Sequence, residues 1–256
     1  MSVVLITGAS SGIGKELAYS FAKRNYNLIL LARSTQKLLE IKEDIEKNFN
    51  LDCKVIIYDL KNTENLEEIV EDNYFDILIN CAGFGEMINF DSLTLEKDIE
   101  MLNVNLISPI ILTKLFLKKA LEKDKGTVIN ICSTAALYFH PYMAMYSTTK
   151  AGLLNYSLSL SEEIRFRTKN VHLLSICPGP TATPFFEEET KQKFGAFKIW
   201  EMSAPDVAKE ILNTFDKKKK FTIIGFRNKV LAKFTAMLPI GLQLKIVAKH
   251  LRKGAK

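Results

Sequence analysis

The chain alternates short apolar runs with longer segments whose apolar residues recur at helical spacing. The apolar runs predict strands at 3–6, 27–33, 54–59, 75–80, 126–132 and 171–177. The segments between them predict helices at 15–22, 34–48, 63–72, 95–122 and 146–167. Strands that alternate with helices in this way form a parallel sheet with helices on both faces.

This alternation predicts one α/β domain over 1–256, with a three-layer, doubly wound parallel sheet of about seven strands and the first strand central. Within the strand at 27–33, residues 28–32 are all apolar, which is typical of a strand buried on both faces. The helix at 95–122 is expected to bend or break between Asn103 and Pro109.

Beyond Pro178 the regular alternation ends. The segment 184–202 mixes aromatic and charged residues without a period, and we expect it to be a lid over the substrate. Its aromatic residues are Phe185, Phe186, Phe194, Phe197 and Trp200. A helix at 204–215 and a strand at 221–225 follow.

The tail, 229–253, is an amphipathic extension whose apolar residues fall on helical stripes, with lysines between them. Pro239 and Gly241 break the apolar run, so a membrane-spanning helix is not expected there. One interpretation is that the tail packs on the protein itself or across a dimer interface. The other is that it rests on anionic lipid as a basic amphipathic surface.

The composition, with 47% apolar residues and a net charge of +6, is that of a soluble globular protein with a mild basic excess. The basic residues are spread along the chain without interleaved aromatic residues, so nucleic-acid binding is not expected. No metal-ligand spacing is present among the cysteines, which we expect to be buried and reduced. The N-terminus does not resemble a signal peptide, and we expect a cytoplasmic protein. The cysteines are Cys53, Cys81, Cys132 and Cys177.

A glycine-rich turn connects the first predicted strand to the first helix. Gly8, Gly12 and Gly14 allow a tight turn and a close approach of a ligand to the backbone. The free N–H groups and the positive dipole end of the helix favour a pyrophosphate there. The predicted contacts are Gly8, Ser10, Ser11, Gly12, Ile13 and Gly14.

Tyr146 and Lys150 lie four residues apart on a predicted helix, so their side chains share one face. An ammonium group beside a phenol lowers the pKa of the phenol from its ordinary value of about 10. Ser133 follows the fifth strand, at the same edge of the sheet as the glycine turn. These three residues predict acid–base chemistry at that edge.

Arg33 ends the second predicted strand, where NAD enzymes of doubly wound folds place an acidic residue for the ribose 2′-hydroxyl. A carboxylate would repel a 2′-phosphate, whereas an arginine can bind it with two parallel hydrogen bonds. Lys37, one helical turn further on, can add a weaker contact. The sequence therefore predicts NADP(H) as the cofactor.

Several motifs together resemble the short-chain dehydrogenase/reductase family. They are the turn T-G-x-x-x-G-I-G at 7–14, N-C-A-G at 80–83, Asn105, Ser133, Y-S-T-T-K-A-G at 146–152 and P-G-P-T-A-T at 178–183. The P-G-P-T-A-T stretch and the basic apolar tail resemble a subgroup related to hydroxysteroid and long-chain 3-oxoacyl reductases. Cys81 departs from the family pattern, which has asparagine there, and Thr181 replaces a branched aliphatic residue.

The resemblance implies a Rossmann-like fold and a catalytic tetrad of Asn105, Ser133, Tyr146 and Lys150. Tyr146 would protonate the carbonyl oxygen, Ser133 would bond that oxygen, and Lys150 would bind the nicotinamide ribose and lower the pKa of Tyr146. Asn105 would hold a water that links Lys150 to solvent. Further cofactor contacts are implied at Asp59, Leu60, Asn80, Ala82, Gly83, Pro178, Gly179, Thr181 and Thr183.

The resulting hypothesis is an NADP(H)-dependent oxidoreductase that interconverts a carbonyl and a secondary alcohol on a small or lipid-like substrate, in a homo-oligomer. The alternative is a non-catalytic NADP-binding redox sensor or scaffold. An intact tetrad argues against the alternative, because a pure binder needs no phenol poised beside an ammonium group. His140 is expected to have a surface or packing role, and Met143 fits core or pocket wall equally well.

Overall fold

The structure, a computed structural model, describes residues 1–185 and 201–252. Its strands are β1 Val3–Thr7, β2 Asn27–Ala32, β3 Cys53–Ile57, β4 Ile77–Asn80, β5 Gly126–Ile131, β6 Val171–Cys177, β7 Thr181–Ala182, β8 Met202–Ser203 and β9 Phe221–Ile223. The strands β1 to β6 and β9 begin and end within two residues of the sequence predictions, whereas the short strands β7 and β8 were not predicted.

The helices occupy the intervals between these strands and the end of the described chain. They are α1 Gly12–Ala22, α2 Thr35–Phe49, α3 Leu66–Glu71, α4 Leu95–Leu102, α5 Ser108–Glu122, α6 Ala144–Arg165, α7 Ala204–Asp216, α8 Phe226–Met237 and α9 Ile240–Leu251. A π-helical turn, Asn103–Ile107, joins α4 to α5, and a short 3₁₀ turn, Thr134–Ala136, follows β5.

Seven strands form one sheet in the order β3-β2-β1-β4-β5-β6-β9, and every neighbouring pair is parallel. The predicted single-domain, doubly wound α/β fold is therefore confirmed. The prediction that the first strand is central is wrong by one position, because β4 occupies the middle and β1 is its neighbour. Two strands extend the sheet on one side of β1 and four on the other.

Side chains of β1 alternate between two hydrophobic cores, as the period of a strand requires. Val4 and Ile6 pack with α1, α2 and α7 around the fully buried Phe21. Leu5 faces the opposite side, where it packs with Leu112 and Phe116 of α5. Helices therefore cover both faces, and only the ends of the strands remain open to a ligand.

The predicted interruption of the helix at 95–122 is confirmed, and it takes the form of the π-helical turn. Pro109 lies at the start of α5, where a helix tolerates proline. By length and hydropathy the whole span Leu95–Glu122 could cross a membrane. Leu112, Phe116 and Leu117 are instead buried against the sheet, so the hydropathy is that of a core helix.

The helix predicted at 63–72 is shorter than expected. Asn65 has a left-handed backbone conformation, with φ of 59°, and α3 begins only after it. The chain between β3 and α3 is instead a turn, in which the backbone N–H of Asn62 donates to the carbonyl of Asp59 at 3.0 Å. Asp59 consequently lies two residues beyond the end of β3.

A buried polar network ties the middle of the sheet to the helices. Asn80 Nδ2 donates to Asn130 Oδ1 at 2.8 Å and to Thr113 Oγ1 at 3.0 Å. Asn130 Nδ2 donates to Ser157 Oγ at 2.8 Å. The network thus connects β4, β5, α5 and α6 through hydrogen bonds that are shielded from water, where they are most directional.

Replacing Asn130 by alanine should lower the free energy of unfolding by about 2–3 kcal/mol, because it leaves a small cavity and removes partners from buried polar groups. Equilibrium urea unfolding followed by circular dichroism measures the change. Asn48→Ala is the matched control, since Asn48 bonds Asp44 on the exposed surface of α2. Equal effects of the two substitutions would contradict a structural role for the network.

Candidate active site

A cleft of about 800 Å³ lies at the carboxyl ends of the parallel strands. Gly8, Arg33, Ser133 and Tyr146 all line it, as expected if they share one edge of the sheet. The predicted site residues that line the cleft are Gly8, Ser10, Ser11, Gly12, Ile13, Gly14, Arg33, Lys37, Asp59, Leu60, Ala82, Gly83, Ser133, Tyr146, Lys150, Pro178, Gly179, Thr181 and Thr183. Asn80 and Asn105 are not among the lining residues in the described part of the chain.

The glycine turn between β1 and α1 has a shape that requires glycine. Gly8 has φ of +68°, and a Cβ there would lie 2.7 Å from the Cα of Ala82. A Cβ on Gly14 would lie 2.3 Å from the carbonyl oxygen of Gly8. Ser11, the N-cap of α1, makes no side-chain cap hydrogen bond. The turn therefore presents backbone N–H groups at a helix N-terminus, a fitting place for a pyrophosphate.

Thr7, the last residue of β1, holds the turn against the neighbouring strand. Its Oγ1 accepts hydrogen bonds from the backbone N–H groups of Cys81 and Ala82, both at 3.0 Å. The thiol at position 81 thus leaves the backbone contacts of this segment in place. Thr7 was missed as a functional residue, although it opens the glycine motif.

Arg33 follows β2 and extends its guanidinium into solvent, with 74% of the side chain exposed. Its Nη1 lies 3.9 Å from Asp59 Oδ2, and Lys61 Nζ lies at the same distance from that oxygen. Lys37 of α2 also lines this part of the cleft. The exposed arginine and Lys37 can both contact an anionic group of a ligand in this part of the cleft.

Ser133, Tyr146 and Lys150 meet on the wall formed by β5 and α6. Ser133 and Tyr146 both line the cleft, and Ser133 lies close enough to lower the pKa of the Tyr146 phenol. Tyr146 and Lys150 are 8% and 4% exposed, respectively. Lys150 Nζ donates to the Ile131 carbonyl at 3.0 Å and lies 6.0 Å from the centroid of the Tyr146 ring. The predicted acid–base group is therefore assembled.

The pKa of Tyr146 is shifted in the direction opposite to that predicted from the sequence. Burial raises it to about 12, and nearby Ser133 only partly offsets that rise. Burial also lowers the pKa of Lys150, because water no longer solvates its charge. Lys150 directs one N–H at the Ile131 carbonyl. The expected lowering of the Tyr146 pKa by Lys150 is thus wrong for this arrangement, and the phenol is protonated at neutral pH.

Asn105 lies in the π-helical turn, fully buried behind the cleft. Its Oδ1 accepts from the Phe84 N–H at 3.0 Å, and its Nδ2 donates to the Phe84 carbonyl at 2.7 Å and to Thr149 Oγ1 at 3.2 Å. A Cβ on Gly83 would lie 3.0 Å from Asn105 Oδ1 and 3.3 Å from Lys150 Nζ. The Asn105 amide therefore positions the 83–84 backbone, and its expected water-binding role stays a prediction.

Asn80 also has a structural place, in the buried network below the sheet edge. Its amide nitrogen bonds Asn130 and Thr113. The sequence prediction of a cofactor contact by Asn80 is therefore not supported by its position. Its neighbours Ala82 and Gly83 do line the cleft.

Comparison with known proteins agrees with this arrangement. The family described as short chain dehydrogenase matches residues 2–193. The chain belongs to the short-chain dehydrogenase family. The match covers the glycine turn, Ser133, Tyr146 and Lys150.

Two curated relatives resemble the chain in sequence. The very-long-chain 3-oxoacyl-CoA reductase of Anas platyrhynchos is 30% identical over 205 residues, 74% of this chain and 65% of that protein. The 17-beta-hydroxysteroid dehydrogenase type 3 of Homo sapiens is 28% identical over 246 residues, 92% of this chain and 74% of that protein. The chain thus spans slightly less than two thirds of the first relative.

A solved structure of the family is similar over almost the whole length. The short-chain dehydrogenase from Sphingobium yanoikuyae in complex with NADPH superposes with a TM-score of 0.80 at 25% identity. The match covers 97% of this chain and 96% of that one.

Several lining residues of this short-chain dehydrogenase were missed or misassigned by the sequence analysis. His140 lines the cleft, with Nδ1 at 3.0 Å from the Tyr138 carbonyl and its ring stacked on Tyr138. Burial lowers the pKa of His140, which favours its neutral form. Its position in the sequence, between Ser133 and Tyr146, could have indicated that it lies near the site. Other lining residues outside the prediction are Tyr58, Phe84, Glu201 and Leu251.

The substrate side of the cleft is largely apolar. Phe185 packs edge-on against Tyr146, with 5.5 Å between ring centroids. Tyr146 also clusters with Met143 and with Leu251 of α9. The predicted lid lies mostly at 186–200, outside the described residues, as do Phe186, Phe194, Phe197 and Trp200. Phe185 and Glu201, on either side of that gap, both line the cleft.

The cysteines are free, as expected, and two of them line the cleft. Cys81 is half-buried, and the other three are buried. Burial raises the pKa of Cys81 to about 12, so its thiol is a poor nucleophile.

Replacing Lys150 by methionine should alter stability in a pH-dependent way. Burial disfavours the charged form of Lys150, so the folded state is destabilised at any pH at which the lysine of the unfolded chain is protonated. This penalty disappears as pH rises to about 10.5, the ordinary pKa of lysine. The stability of Lys150→Met relative to the parent should therefore fall between about pH 7 and about pH 10. Urea unfolding at the two pH values measures this, with exposed Lys118→Met as control. A constant difference would contradict the burial of a charged amine.

Proposed function

We propose that this chain is an NADP(H)-dependent carbonyl reductase or alcohol dehydrogenase that acts on a small or lipid-like substrate. The observation that carries the proposal is the placement of Ser133 and Tyr146 together in one cleft, with buried Lys150 one turn further along α6. The pair lies in the same cleft as a glycine turn shaped for a pyrophosphate. Family membership supports oxidoreductase chemistry at this site.

The chain's own residues can manage the proton of such a reaction. When bound, the nicotinamide cofactor supplies or accepts a hydride. Tyr146, protonated at neutral pH, donates its hydroxyl proton to the carbonyl oxygen in the reductive direction. Ser133 hydrogen-bonds the same oxygen and stabilises its developing charge. Lys150 keeps two N–H groups beyond the one that it gives to Ile131, and they are available to a ligand in the cleft.

The preference for NADP(H) rests on Arg33. Its exposed guanidinium ends β2, and no carboxylate occupies positions 32–34. The Sphingobium yanoikuyae relative was solved with NADPH, which supports the same choice. Asp59 neutralises Arg33 only weakly at 3.9 Å, so the guanidinium can turn to a phosphate.

A lipid-like substrate is supported by the apolar residues around Tyr146. Phe84, Met143, Phe185 and Leu251 line the cleft there and can bury a hydrocarbon chain or ring system. The names of two relatives refer to lipid-like substrates. They are very-long-chain 3-oxoacyl-CoA reductase and 17-beta-hydroxysteroid dehydrogenase type 3. A cytoplasmic location and a homo-oligomeric state remain predictions.

Replacing Tyr146 by phenylalanine tests the catalytic proposal against the sensor or scaffold alternative. The parent should oxidise NADPH with at least one member of a panel of apolar ketones and 3-oxoacyl thioesters. Loss of the proton donor should lower kcat by at least about a hundredfold. Absorbance of NADPH measures turnover, and fluorescence titration measures its binding.

Tyr156→Phe, ten residues further along α6, is the matched control and should keep its activity. NADPH binding by a parent that turns over no carbonyl compound would favour the non-catalytic alternative. Unchanged turnover in Tyr146→Phe would contradict the assigned role of the phenol.

Replacing Arg33 by aspartate tests the cofactor preference. The loss of a charge-assisted contact should weaken NADPH binding by about 1.5–3 kcal/mol, with a much smaller change for NADH. Fluorescence titration of both dinucleotides measures the difference. Arg167→Asp, on the exposed end of α6, controls for the change in net charge. Equal weakening of both cofactors would mean that Arg33 does not bind the 2′-phosphate.

A further inference from the structure

Helix α8 has its large apolar side chains on the outside. Phe226, Val230, Phe234 and Met237 recur at helical spacing and are 79%, 50%, 61% and 83% exposed. The opposite side of α8, which packs on the body of the protein, is formed by small or polar residues. These are Asn228, Ala232 and Thr235, all buried.

This orientation reverses what a surface helix normally shows, since the apolar stripe of such a helix faces the core. Asn228 fixes it. Its side chain donates to the Ile224 carbonyl at 2.9 Å, and it lies so close to Gly179 that a Cβ there would be 2.2 Å from Asn228 Nδ2. The exposed large apolar side chains of α8 therefore do not pack on the protein's own body, and the interpretation that the tail packs across a dimer interface stays a prediction.

Helix α9 also exposes apolar side chains after Pro239. Ile240 and Leu242 are 60% and 45% exposed. We name the set Phe226, Val230, Phe234, Met237 and Leu242 the α8–α9 face. Its large apolar side chains are exposed on two consecutive helices, and exposed apolar surfaces of this kind mark sites of interaction.

The charge of the same segment is strongly one-sided. Residues 217–256 hold twelve of the 35 lysines and arginines and none of the 29 aspartates and glutamates. This segment therefore carries a net charge of +12, and residues 1–216 carry −6. Lys233, Lys245, Lys249 and Arg252 are exposed on α8 and α9 beside the α8–α9 face. A basic border around exposed apolar residues is complementary to an anionic, apolar partner.

We propose that the α8–α9 face docks on an anionic lipid bilayer, with its apolar side chains among the acyl chains and its lysines at the headgroups. Basic amphipathic helices bind such interfaces through buried apolar area and attraction to acidic lipids. A second copy of the chain fits the face less well. A two-fold contact would place the two basic segments against each other.

Docking would bring the bilayer to the substrate side of the cleft. Leu251, in the last turn of α9, is 2% exposed and lines the cleft. It clusters with Met143 and Tyr146, and Val247 packs against the same cluster. Helix α9 thus contributes Leu242 to the α8–α9 face and Leu251 to the wall around Tyr146. The docking proposal rests on the exposed apolar residues of the α8–α9 face and on the basic residues beside it, and it does not depend on the proposed activity.

Co-sedimentation of the full-length chain with vesicles tests the proposal. The parent should pellet with phosphatidylcholine vesicles that contain phosphatidylserine, and far less with phosphatidylcholine alone, and added salt should weaken the binding. Phe234→Glu should lower the partition coefficient by about tenfold or more. Phe166→Glu is the matched control, since Phe166 is 76% exposed at the far end of α6.

A second pair of variants tests the charges without altering the apolar residues. Lys233→Glu with Lys245→Glu should lower binding by about tenfold or more, because each lysine near an anionic surface contributes to attraction. Lys23→Glu with Lys47→Glu makes the same change in net charge on α1 and α2 and should have little effect. Thermal unfolding and NADPH titration establish that each variant is folded.

Three results would overturn the proposal. The first is failure of the parent to pellet with anionic vesicles, and the second is equal binding by Phe234→Glu and Phe166→Glu. The third is a dimer, measured by analytical ultracentrifugation without lipid, that Phe234→Glu but not Phe166→Glu converts to monomer. That last result would assign the α8–α9 face to a second copy of the chain.

Discussion

The hydroxyl of Thr7 joins the ends of two parallel strands, and the cleft depends on that contact. By accepting from the backbone N–H groups of Cys81 and Ala82, it holds the segment after β4 beside the turn after β1. Gly8 must then approach Ala82 more closely than any side chain would allow. The glycine turn, the helix N-terminus and the backbone at Gly83 consequently stand in fixed positions around a single cavity. Ser133 and Tyr146, supplied by the next strand and its helix, complete the site on the same edge.

Much of this could be predicted from the sequence because the relevant signals are local. The apolar runs gave the strands to within two residues, and the parallel order of the sheet placed Gly8, Arg33, Ser133 and Tyr146 on one edge. The pKa of Tyr146 could not be predicted in this way. Helical spacing places Lys150 on the same face of the helix as Tyr146. The pKa shift of Tyr146, however, depends on how much water the fold removes, and burial raises this pKa despite the nearby amine.

Other features could not be predicted from local patterns, because they concern contacts between residues distant in sequence. The amide of Asn105 binds the backbone of Phe84, twenty-one residues earlier, and helical spacing does not reveal that contact. Leu251 lines the cleft from the end of the described chain, and no local pattern connects it to Tyr146. Helical stripes of apolar residues were expected in the tail, but periodicity cannot say which side of a helix faces the protein. Asn228 decides that through its fit against Gly179.

The π-helical turn between α4 and α5 makes the number of residues there as important as their identity. A π turn accommodates one residue more than an α turn, so it offsets the faces of the two helices that it connects. Deleting a single residue between Leu102 and Ser108 would restore a regular helix and rotate α4 by about 100° relative to α5. Asn105 would then lose its alignment with Phe84, even with every site residue retained. Among homologous chains, a gap in this segment would therefore disturb the site as much as a substitution within it.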